Sequence, residues 1–600
     1  MTDQVDEVKQ KTDIVSLIGE FIDLKKAGRN YKALCPFHSE KTSSFMVSPE
    51  LQIYKCFGCQ EAGDAFTFLE RYEGMDFYEA LKFLAQKAGV KLTSTQAGRR
   101  SDKQRLYDIN MLASQLYHYF LIKHPIGQVA LNYLKTKRGL NLETIKAFKL
   151  GYSPDKPQVL KNFLVDKKGY QIAEIERAGL GILRDARIID RFAGRIIFPL
   201  FDHRGNVTGF AGRLLPINEK SNLAKYINSP ETPVYHKGSL LYALNQTRSL
   251  IKEKNQVIVV EGELDAISSW QAGVDNVVAT KGSALTQDQI RLLSRFTKEV
   301  VLAMDADMAG DAAARRGVSI AQNEGLSVRV AKIEGYKDPD EMARANPSAY
   351  KKAISSSIGA WDFIIDFIFS KSDIGSGEGK GKVSREVIPV LESIQDKIVQ
   401  AHYIEIVAKR MGVAAEAVAQ QLSRISEVRI AEKPKVVLTL KKGRERRGLL
   451  EERFLILAFQ SDPEILLKRE YITLLKNPLN KRIAEEYQKY SSKNKKFDPA
   501  SFSENLPKEL LVGFAEIVMT DIQGSTDSLE QIKKELNIVI EELKELALKE
   551  RLKDLGIKIR EYEEGGKKKM LEQAKKTFVK LADKLTNLDE KQGRGIILQE

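Results

Sequence analysis

All three cysteines of this 600-residue chain fall in one short window, and this clustering constrains the fold more than any other sequence feature. Two residues separate Cys35 from His38, and the same gap separates Cys56 from Cys59. Two pairs with this spacing supply four ligands of the kind that tetrahedral zinc prefers. Because four protein ligands leave no open position for water, the spacing predicts one structural Zn²⁺ at these four residues.

The window also has room for a small β-ribbon between the two ligand pairs. Seventeen residues lie between His38 and Cys56, enough for the strands SSFMV and LQIYKC joined by the turn SPE. Helical periodicity follows in GDAFTFLERY and FYEALKFLAQKAGV. Chance clustering of three buried thiols is a weaker interpretation because the spacings match. A redox Cys-x-x-Cys is weaker still because it leaves Cys35 and His38 unexplained.

Aromatic and cationic side chains surround the four ligands, namely Lys32, Lys41, Tyr54, Lys55 and Phe57. Rings and cations on a small ribbon suit stacking and phosphate contact with a single-stranded nucleic acid. The rings are also suited to forming the small core of the ribbon, and for Phe57 the sequence does not decide between the two.

Length and charge set the class of protein. A chain of 600 residues is expected to form several domains. Its 95 Lys and Arg against 81 Asp and Glu give a net charge of +14, which favours a polyanionic partner. An odd count of three cysteines makes a poor disulfide framework and indicates a reducing compartment. The polar N-terminus lacks a signal-peptide core, and no apolar run reaches the length of a membrane span.

Composition shifts predict a multidomain α+β protein with seven segments. These are a ribbon domain (1–95), a polar linker (96–108), a basic region of helices followed by strands (109–254), an alternating α/β region (255–340), a helical region (341–430), a charged linker (431–448) and a second helical region (449–600). A Gly/Ser/Lys-rich loop, SKSDIGSGEGKGK, is predicted over 370–382.

Three acidic clusters follow apolar strands in the alternating region. QVIVV precedes Glu261, Glu263 and Asp265, EVVLAM precedes Asp305 and Asp307, and VRVAKI precedes Asp338 and Asp340. In a parallel sheet all three would emerge at the carboxyl edge, where ligands bind. Clustered carboxylates need neutralising, and hard oxygen ligands favour Mg²⁺ or Mn²⁺. Helix N-capping explains any one cluster, but it explains three together poorly.

These motifs together resemble a known family. EGELD and DAD resemble the Toprim module of topoisomerases and primases, and an upstream Cys-x2-His…Cys-x2-Cys ribbon resembles the bacterial replicative primase of the DnaG type. RFAGRIIFPLFDHRGNVTGFAGR and AKYINSPETPVYHKGSLLYAL resemble that family's basic core, as KGSALT and KDPDE resemble further motifs. The resemblance covers most of 1–430. Three departures are Ala306 for glycine, Ser43 for proline and Lys281 for an apolar residue, and none removes a ligand.

The resemblance implies synthesis of short RNA primers on single-stranded DNA from ribonucleoside triphosphates, by divalent-metal-assisted nucleotidyl transfer in a Toprim-type α/β core. Its metal ligands would be Glu261, Asp305 and Asp307, with Asp338 and Asp340 in second place and Asp265 supporting Glu261 or a bound water. The family's basic core corresponds to residues that would hold the template or the incoming triphosphate: Arg191, Arg195, Arg213, Lys225, Tyr226, Asn228 and Lys237.

The resemblance also implies partners and a location. Residues 449–600 would dock on the hexameric replicative helicase, and a contact with single-stranded DNA-binding protein is left open. A bacterial cytoplasmic protein at the replication forks of the nucleoid is expected, without a membrane partner. Two rival functions are another Toprim enzyme, such as a topoisomerase or nuclease, and a non-catalytic zinc-dependent single-stranded-DNA-binding protein. Incorporation of labelled ribonucleotides on a single-stranded template separates the second rival from a primase.

Overall fold

The structure is a computed structural model, and it divides the chain into two compact units, residues 1–98 with 435–600 and residues 99–434. The residues described are 2–40, 42–92, 102–156, 158–184, 187–216, 223–281, 285–303, 312–371, 374–432, 446–492, 497–520 and 529–591. Within these ranges, no helix combines the length and apolar character needed to cross a membrane.

The N-terminal part of the first unit is a five-stranded antiparallel ribbon with helices packed on it. Its elements are α1 (Thr2–Lys11), α2 (Ile14–Gly19), β1 (Lys25–Ala27), β2 (Asn30–Ala33), β3 (Phe45–Ser48), β4 (Ile53–Cys56), β5 (Ala62–Gly63), α3 (Ala65–Tyr72) and α4 (Phe77–Lys87). The strands pair in the order β1-β2-β3-β4-β5. The ribbon and the two following helices predicted from the sequence are therefore confirmed, with three additional strands.

Side chains from one face of β3 and β4 build the core of this ribbon domain. Phe45 and Tyr54 stack with ring centroids 5.2 Å apart, and Phe68 of α3 packs edge-on against Tyr54 at 5.7 Å. Helix α4 begins at a capping box in which Asp76 and Glu79 satisfy each other's backbone N–H groups. Apolar packing thus holds α3 against the sheet, and the capping box defines where α4 begins.

The second unit begins with helices and an antiparallel sheet. The elements are α5 (Asp102–Ile122), α6 (Gln128–Asn132), α7 (Leu142–Ala147), β6 (Gly151–Ser153), α8 (Ile172–Arg177), β7 (Gly181–Arg184), β8 (Arg187–Asp190), β9 (Arg195–Phe201), β10 (Val207–Leu214) and β11 (Tyr226–Asn228). Four strands pair in the order β11-β10-β9-β6, while β7 and β8 form a separate hairpin. Helix α5 starts inside the segment assigned to the linker 96–108, because Leu106 and Tyr107 are already buried in its core.

A second sheet in this unit is mostly parallel, as the alternating sequence pattern predicts. Its elements are α9 (Leu244–Lys254), β12 (Gln256–Val260), α10 (Glu263–Gln271), β13 (Val277–Ala279), α11 (Gln287–Ser294), β14 (Glu299–Leu302), α12 (Ala312–Asn323), β15 (Ser327–Val330), α13 (Pro339–Ala345), α14 (Pro347–Ser355) and β16 (Ile358–Gly359). The strand order is β13-β12-β14-β15-β16, and only β16 runs antiparallel to its neighbour. Both faces of the central strands are buried, which fits their near-continuous apolar sequence.

Four helices complete the second unit: α15 (Ala360–Ser370), α16 (Gly377–Ser393), α17 (Lys397–Met411) and α18 (Ala415–Glu432). The predicted loop 370–382 is wrong over its second half, because α16 starts at Gly377. Ser376 caps that helix by accepting a hydrogen bond from the backbone N–H of Gly379 at 3.1 Å. The cap and the buried Val383 and Val387 outweigh the low helix propensity of the glycines.

The C-terminal part of the first unit is helical, as predicted. Its helices are α19 (Arg446–Ser461), α20 (Arg469–Ile472), α21 (Pro478–Ser491), α22 (Pro499–Asn505), α23 (Lys508–Met519), α24 (Leu529–Glu564) and α25 (Lys568–Lys591). The apolar faces of α19 to α24 share one core, which includes Phe454, Leu457, Phe514 and Leu543. The architecture is thus a multidomain α+β fold with a ribbon, two central sheets and a helical C-terminal region.

Candidate metal centre and active site

The four predicted zinc ligands meet at one end of the ribbon. The ligand atoms of Cys35, His38, Cys56 and Cys59 all lie within 4.8 Å of one another. The Sγ atoms of Cys35 and Cys59 are 3.8 Å apart, and Nδ1 of His38 is 3.7 Å from Sγ of Cys56. Bonds of about 2.3 Å to zinc place two tetrahedral sulfur ligands about 3.8 Å apart, so the geometry fits a tetrahedral zinc ion.

The electrostatics of the cluster also call for a cation. Burial raises the pKa of the Cys35 thiol well above its ordinary range, so this thiol stays protonated unless a positive ion stabilises the thiolate. Burial opposes ionisation of Cys56 as well, but donors from Ser44 and the Cys59 backbone lower its pKa. A zinc ion provides the positive charge that stabilises the cysteine thiolates. The three cysteines and the histidine therefore fit a Zn²⁺ site.

Glu40 organises this cluster, and the sequence analysis did not identify it. Its Oε1 accepts hydrogen bonds from the backbone N–H groups of Cys35 (2.8 Å) and Ser44 (3.0 Å). Its Oε2 lies 3.3 Å from Nε2 of His38, which leaves Nδ1 directed at the cysteines. A carboxylate behind a ligating histidine fixes the ring and its tautomer. The only sequence signal was an acidic residue two positions after the histidine, which is too common to be diagnostic.

The other ribbon side chains divide between core and surface. Tyr54 is fully buried in the aromatic core, and Lys55 is buried as well. Phe57 is 37% exposed and Lys32 is exposed, so both remain available to a ligand. Lys41 lies outside the described residues.

The described acidic residues that follow β12 and β15 lie together at the carboxyl edge of the parallel sheet. Glu261 directly follows β12, and Asp265 lies in the first turn of α10, where its Oδ2 accepts a hydrogen bond from the Gly262 N–H at 2.9 Å. The Oδ1 of Asp265 accepts a hydrogen bond from the backbone N–H of Asp340 at 3.2 Å. Burial, reinforced by the charges of Asp338 and Asp340, raises the pKa of Asp265 to about 7. Asp305 and Asp307, after β14, lie outside the described residues.

The two aspartates of KDPDE have different surroundings. Asp338 is the N-cap of α13 and accepts a hydrogen bond from the Glu341 N–H at 2.8 Å. Asp340 is 5% exposed, and its two carboxylate oxygens accept hydrogen bonds from Arg344 at 3.0 Å each. Arg138 adds a contact at 3.3 Å and the Ser268 hydroxyl one at 2.5 Å. Asp340 is therefore held in a cationic cage beside the edge.

Lys281, where the resemblance expected an apolar side chain, lies next to this edge. Its side chain is almost completely buried, with Nζ 3.1 Å from Oε1 of Glu263. Burial lowers its pKa, while the charge of Glu263 opposes that shift. The residue has a left-handed backbone (φ 71°), and its N–H donates to the Glu261 carbonyl at 2.8 Å. The lysine thus ties the segment after β13 to the residue that follows β12.

Five residues of the predicted basic core lie on or next to β9, β10 and β11, whereas Arg191 directly follows β8 and Lys237 lies in the loop after β11. Register pairs Arg213 with Tyr226 across β10 and β11. Arg195 is buried, donates to the carbonyls of Gly212 (3.5 Å) and Lys225 (3.3 Å), and has its pKa lowered by burial. The exposed members are Lys225, Tyr226 and Lys237, whereas Arg191 and Asn228 are half-buried and Arg213 is buried.

Arg213 is enclosed by aromatic rings. Its guanidinium lies 4.9 Å from the ring centroid of Tyr226 and 5.7 Å from that of Tyr133. Such cation–π packing holds the Tyr226 ring at the surface of the sheet. The sheet therefore presents an exposed ring next to Lys225, which is a suitable surface for a polyanionic strand.

Four family models match consecutive parts of the chain. They are the CHC2 zinc finger (1–100), the N-terminal domain of the DNA primase catalytic core (117–248), a Toprim-like domain (258–343) and the DnaB-helicase binding domain of primase (362–416). The last model lies before the charged linker 431–448, not in 449–600, where the sequence analysis placed the helicase contact.

Relatives over most of the length are named DNA primase. The chain is 31% identical to the one from Halalkalibacterium halodurans over 560 residues, 90% of this chain and 92% of that protein. It is 37% identical to the one from Clostridium acetobutylicum over 428 residues, 70% of each chain. Among solved structures, the Aquifex aeolicus primase (zinc-binding and RNA polymerase domains) is 31% identical, with 69% of this chain and 98% of that chain covered and a TM-score of 0.46.

Proposed function

We propose, from the premise that this chain belongs to the DNA primase family, that the acidic edge of its parallel sheet is the centre of nucleotidyl transfer. The chain is a DNA-directed RNA polymerase that makes RNA primers on single-stranded DNA. The observation that carries the proposed site is the meeting of Glu261, Asp265 and the segment 338–340 at one edge. Asp265 accepts hydrogen bonds there from the backbone N–H groups of Gly262 and Asp340.

The carboxylates at this edge have separate roles in the proposal. Glu261, Asp305 and Asp307 would hold one or two divalent cations, Mg²⁺ or Mn²⁺, with Asp338 as a further ligand. When bound, such a cation neutralises charge on the transferring phosphoryl group. The hydrogen bond from the Gly262 N–H to Asp265 orients the turn that carries Glu261.

Asp340 is a positioning residue in this proposal. Its bonds to Arg344, Arg138 and Ser268 tie α13 to α10 and to the segment before α7. Breaking this cage would move Asp338 and, through the Asp340 N–H, Asp265. The carboxylate acts through the geometry of its neighbours because its own oxygens are already engaged by two arginines.

The template and the incoming triphosphate are assigned to the basic sheet. Lys225, Lys237 and the ring of Tyr226 are exposed for contact with phosphates and bases. Arg195 supports them indirectly, since it bonds the backbone carbonyl of Lys225. Arg191, Arg213 and Asn228 complete the same surface from half-buried or buried positions.

Two further assignments complete the proposal. We keep the docking of the hexameric replicative helicase on residues 449–600, outside the helicase-binding model matched over 362–416, because the last two helices expose large apolar side chains such as Ile538 (60%) and Val579 (57%). The protein works in the bacterial cytoplasm at replication forks, with single-stranded DNA and ribonucleoside triphosphates as its ligands.

Glu261→Gln tests the active site. The change removes a charge at nearly constant shape, so we expect primer synthesis to fall at least ~100-fold, as loss of a group that stabilises transition-state charge usually causes. Glu253→Gln is the matched control, because Glu253 is exposed and precedes β12 at its other end. The assay is incorporation of labelled ribonucleotides on single-stranded DNA at saturating Mg²⁺. Near-normal synthesis by Glu261→Gln would assign that carboxylate to helix capping and reject this site.

A further inference from the structure

The ribbon strands β3 and β4 have a second face, and the C-terminal helices cover it. One face carries Phe45, Val47, Tyr54 and Cys56 into the core of the ribbon domain. The alternate residues, Met46, Ile53 and the nearby Leu51, pack instead into the apolar core of helices α19 to α24. Every residue of β4 is buried in consequence, which is unusual for a strand in a small ribbon.

Lys55 lies at the centre of this contact. Its side chain has no exposed surface, and its Nζ is 2.8 Å from Oε1 of Glu516. Nζ also donates to the backbone carbonyl of Val512 at 3.1 Å. Glu516 and Val512 are one helical turn apart on α23, so the lysine reaches one defined position along that helix.

A buried cation of this kind makes the contact specific. Burying an ammonium group is costly unless a partner of opposite charge lies in hydrogen-bonding geometry. The apolar side chains of Leu51 and Ile53 would tolerate several sliding positions against α23, whereas the ion pair between Lys55 and Glu516 forms in only one of them. The ion pair therefore selects one docked arrangement of the ribbon on the C-terminal helices.

The same lysine is one of the cations that the ribbon offers to a nucleic acid. Its neighbour across the sheet is Met46, and its Nζ is 5.9 Å from the ring centroid of the half-exposed Phe57. A cation beside a ring suits phosphate contact with base stacking. A phosphate cannot reach Nζ while α23 is in place, because the side chain has no exposed surface.

We propose that helix α23 is an intramolecular cover for the ribbon and competes with single-stranded DNA for the face that carries Lys55. The proposal rests on the proposed function, in which the ribbon contacts the template. Docking and template binding at this face are mutually exclusive, because Glu516 and a phosphate need the same ammonium group. By reciprocity, single-stranded DNA weakens the docking of α23 by the same factor as docking weakens DNA binding.

Glu516→Gln in the full-length protein tests the cover. Loss of the carboxylate leaves Lys55 without its counter-ion, so we expect faster hydrogen exchange of the β4 amides. We also expect at least ~5-fold tighter binding of a labelled single-stranded oligonucleotide, the lower end of usual coupling energies. Glu509→Gln is the matched control, because Glu509 lies on the same helix, is 64% exposed and pairs with Arg482. It should change neither quantity.

Lys55→Met separates the cover from simple unfolding. The methionine keeps an apolar stem in the contact, so exchange of β4 should stay slow, while DNA binding should weaken because the cation is gone. The two variants thus move DNA affinity in opposite directions, which unfolding does not do. Zinc content and circular dichroism of each variant verify that the ribbon and helices are intact.

Two outcomes overturn the proposal. In the first, Glu516→Gln leaves β4 exchange unchanged, so the ion pair does not hold the cover. In the second, exchange accelerates but oligonucleotide affinity does not rise, so docking and DNA do not compete. Primer synthesis measured on the same preparations reports on the proposed function separately. Normal synthesis together with either outcome removes the cover and leaves the catalytic proposal standing.

Discussion

At the residue scale, Glu40 connects the parts of the zinc cluster, because its carboxylate accepts hydrogen bonds from the Cys35 and Ser44 N–H groups and contacts the His38 ring. The ligand identity of Cys35, His38, Cys56 and Cys59 was predictable because the spacing of metal ligands is local. The role of Glu40 was not, because an acid near a histidine is common and only folding brings its oxygens to Cys35, His38 and Ser44. The sequence also allowed the Tyr54 ring to stack on nucleic-acid bases. The ring is instead buried in the aromatic core of the ribbon domain, so it is not available at the surface.

Glu40→Gln should weaken zinc binding without abolishing it. The amide keeps a carbonyl for the backbone N–H groups but loses the charge that orients His38, and loss of such a partner usually costs ~10- to 100-fold in metal affinity. Competition with a chromophoric chelator measures the change. Glu50→Gln is the control, since Glu50 is exposed in the turn between β3 and β4. Zinc affinity equal to that of the wild type would leave Glu40 as a loop-closing residue only.

At the scale of elements, the periodic pattern predicted whether a region is helix or strand better than it predicted where each element begins and ends. Apolar runs followed by acids gave the parallel strands β12, β14 and β15, because buried parallel strands need continuous apolar sequence. The loop predicted over 370–382 is partly helix α16, because a single N-cap at Ser376 and a buried apolar face outweigh several glycines.

The end of strand β8 gives a pH-dependent test. Asp190 is buried and accepts hydrogen bonds from Tyr117 OH (3.2 Å to each oxygen), Ser153 Oγ (2.8 Å) and the Phe192 N–H (2.9 Å). Burial raises its pKa to about 6, although these donors oppose the shift. The folded state therefore keeps a proton that the unfolded chain loses near pH 4. Stability supplied by this proton is complete at low pH and is lost as pH rises towards and through 6.

Asp190→Asn should remove this pH dependence. Between pH 4 and 7, the free energy of unfolding of the wild type falls by an amount on the order of 3 kcal/mol because of this group. The variant therefore gains stability relative to the wild type as pH rises. The denaturant midpoint of each protein at pH 5 and pH 7.5 measures the difference. Asp155→Asn, at an exposed aspartate just after β6, is the control. A constant difference between variant and wild type at the two pH values would contradict a raised pKa.

At the scale of the whole molecule, residues distant in sequence build single structures. The ribbon and the C-terminal helices belong to one compact unit, although the second unit, residues 99–434, lies between them in the chain. The sequence analysis treated 1–95 and 449–600 as separate domains joined through linkers. Composition marks where a chain is polar, but it does not show which segments pack together after folding.

The position of the helicase contact is a prediction at this scale. Ile538→Ser together with Val579→Ser changes exposed apolar residues on α24 and α25, so we expect loss of co-elution with the cognate hexameric helicase on size-exclusion chromatography. Basal priming on naked single strands should stay unchanged. Ile398→Ser is the counterpart in 362–416, because Ile398 is 84% exposed on α17. Loss of co-elution with Ile398→Ser alone would move the docking surface to 362–416.

The zinc ligands, the ribbon strands β3 and β4, the parallel strands and the acids that follow them could be read from local sequence patterns. Each of these depends on spacing or periodicity within a few residues, and backbone geometry converts such patterns directly into position. The pairing of buried charges, in contrast, is established only when the chain folds. Arg138 reaches Asp340 across 202 residues of chain, and Lys55 donates to Val512 across 457. The sequence around a charged residue does not indicate which distant residue will pair with it. A partner becomes necessary only when folding buries the charge.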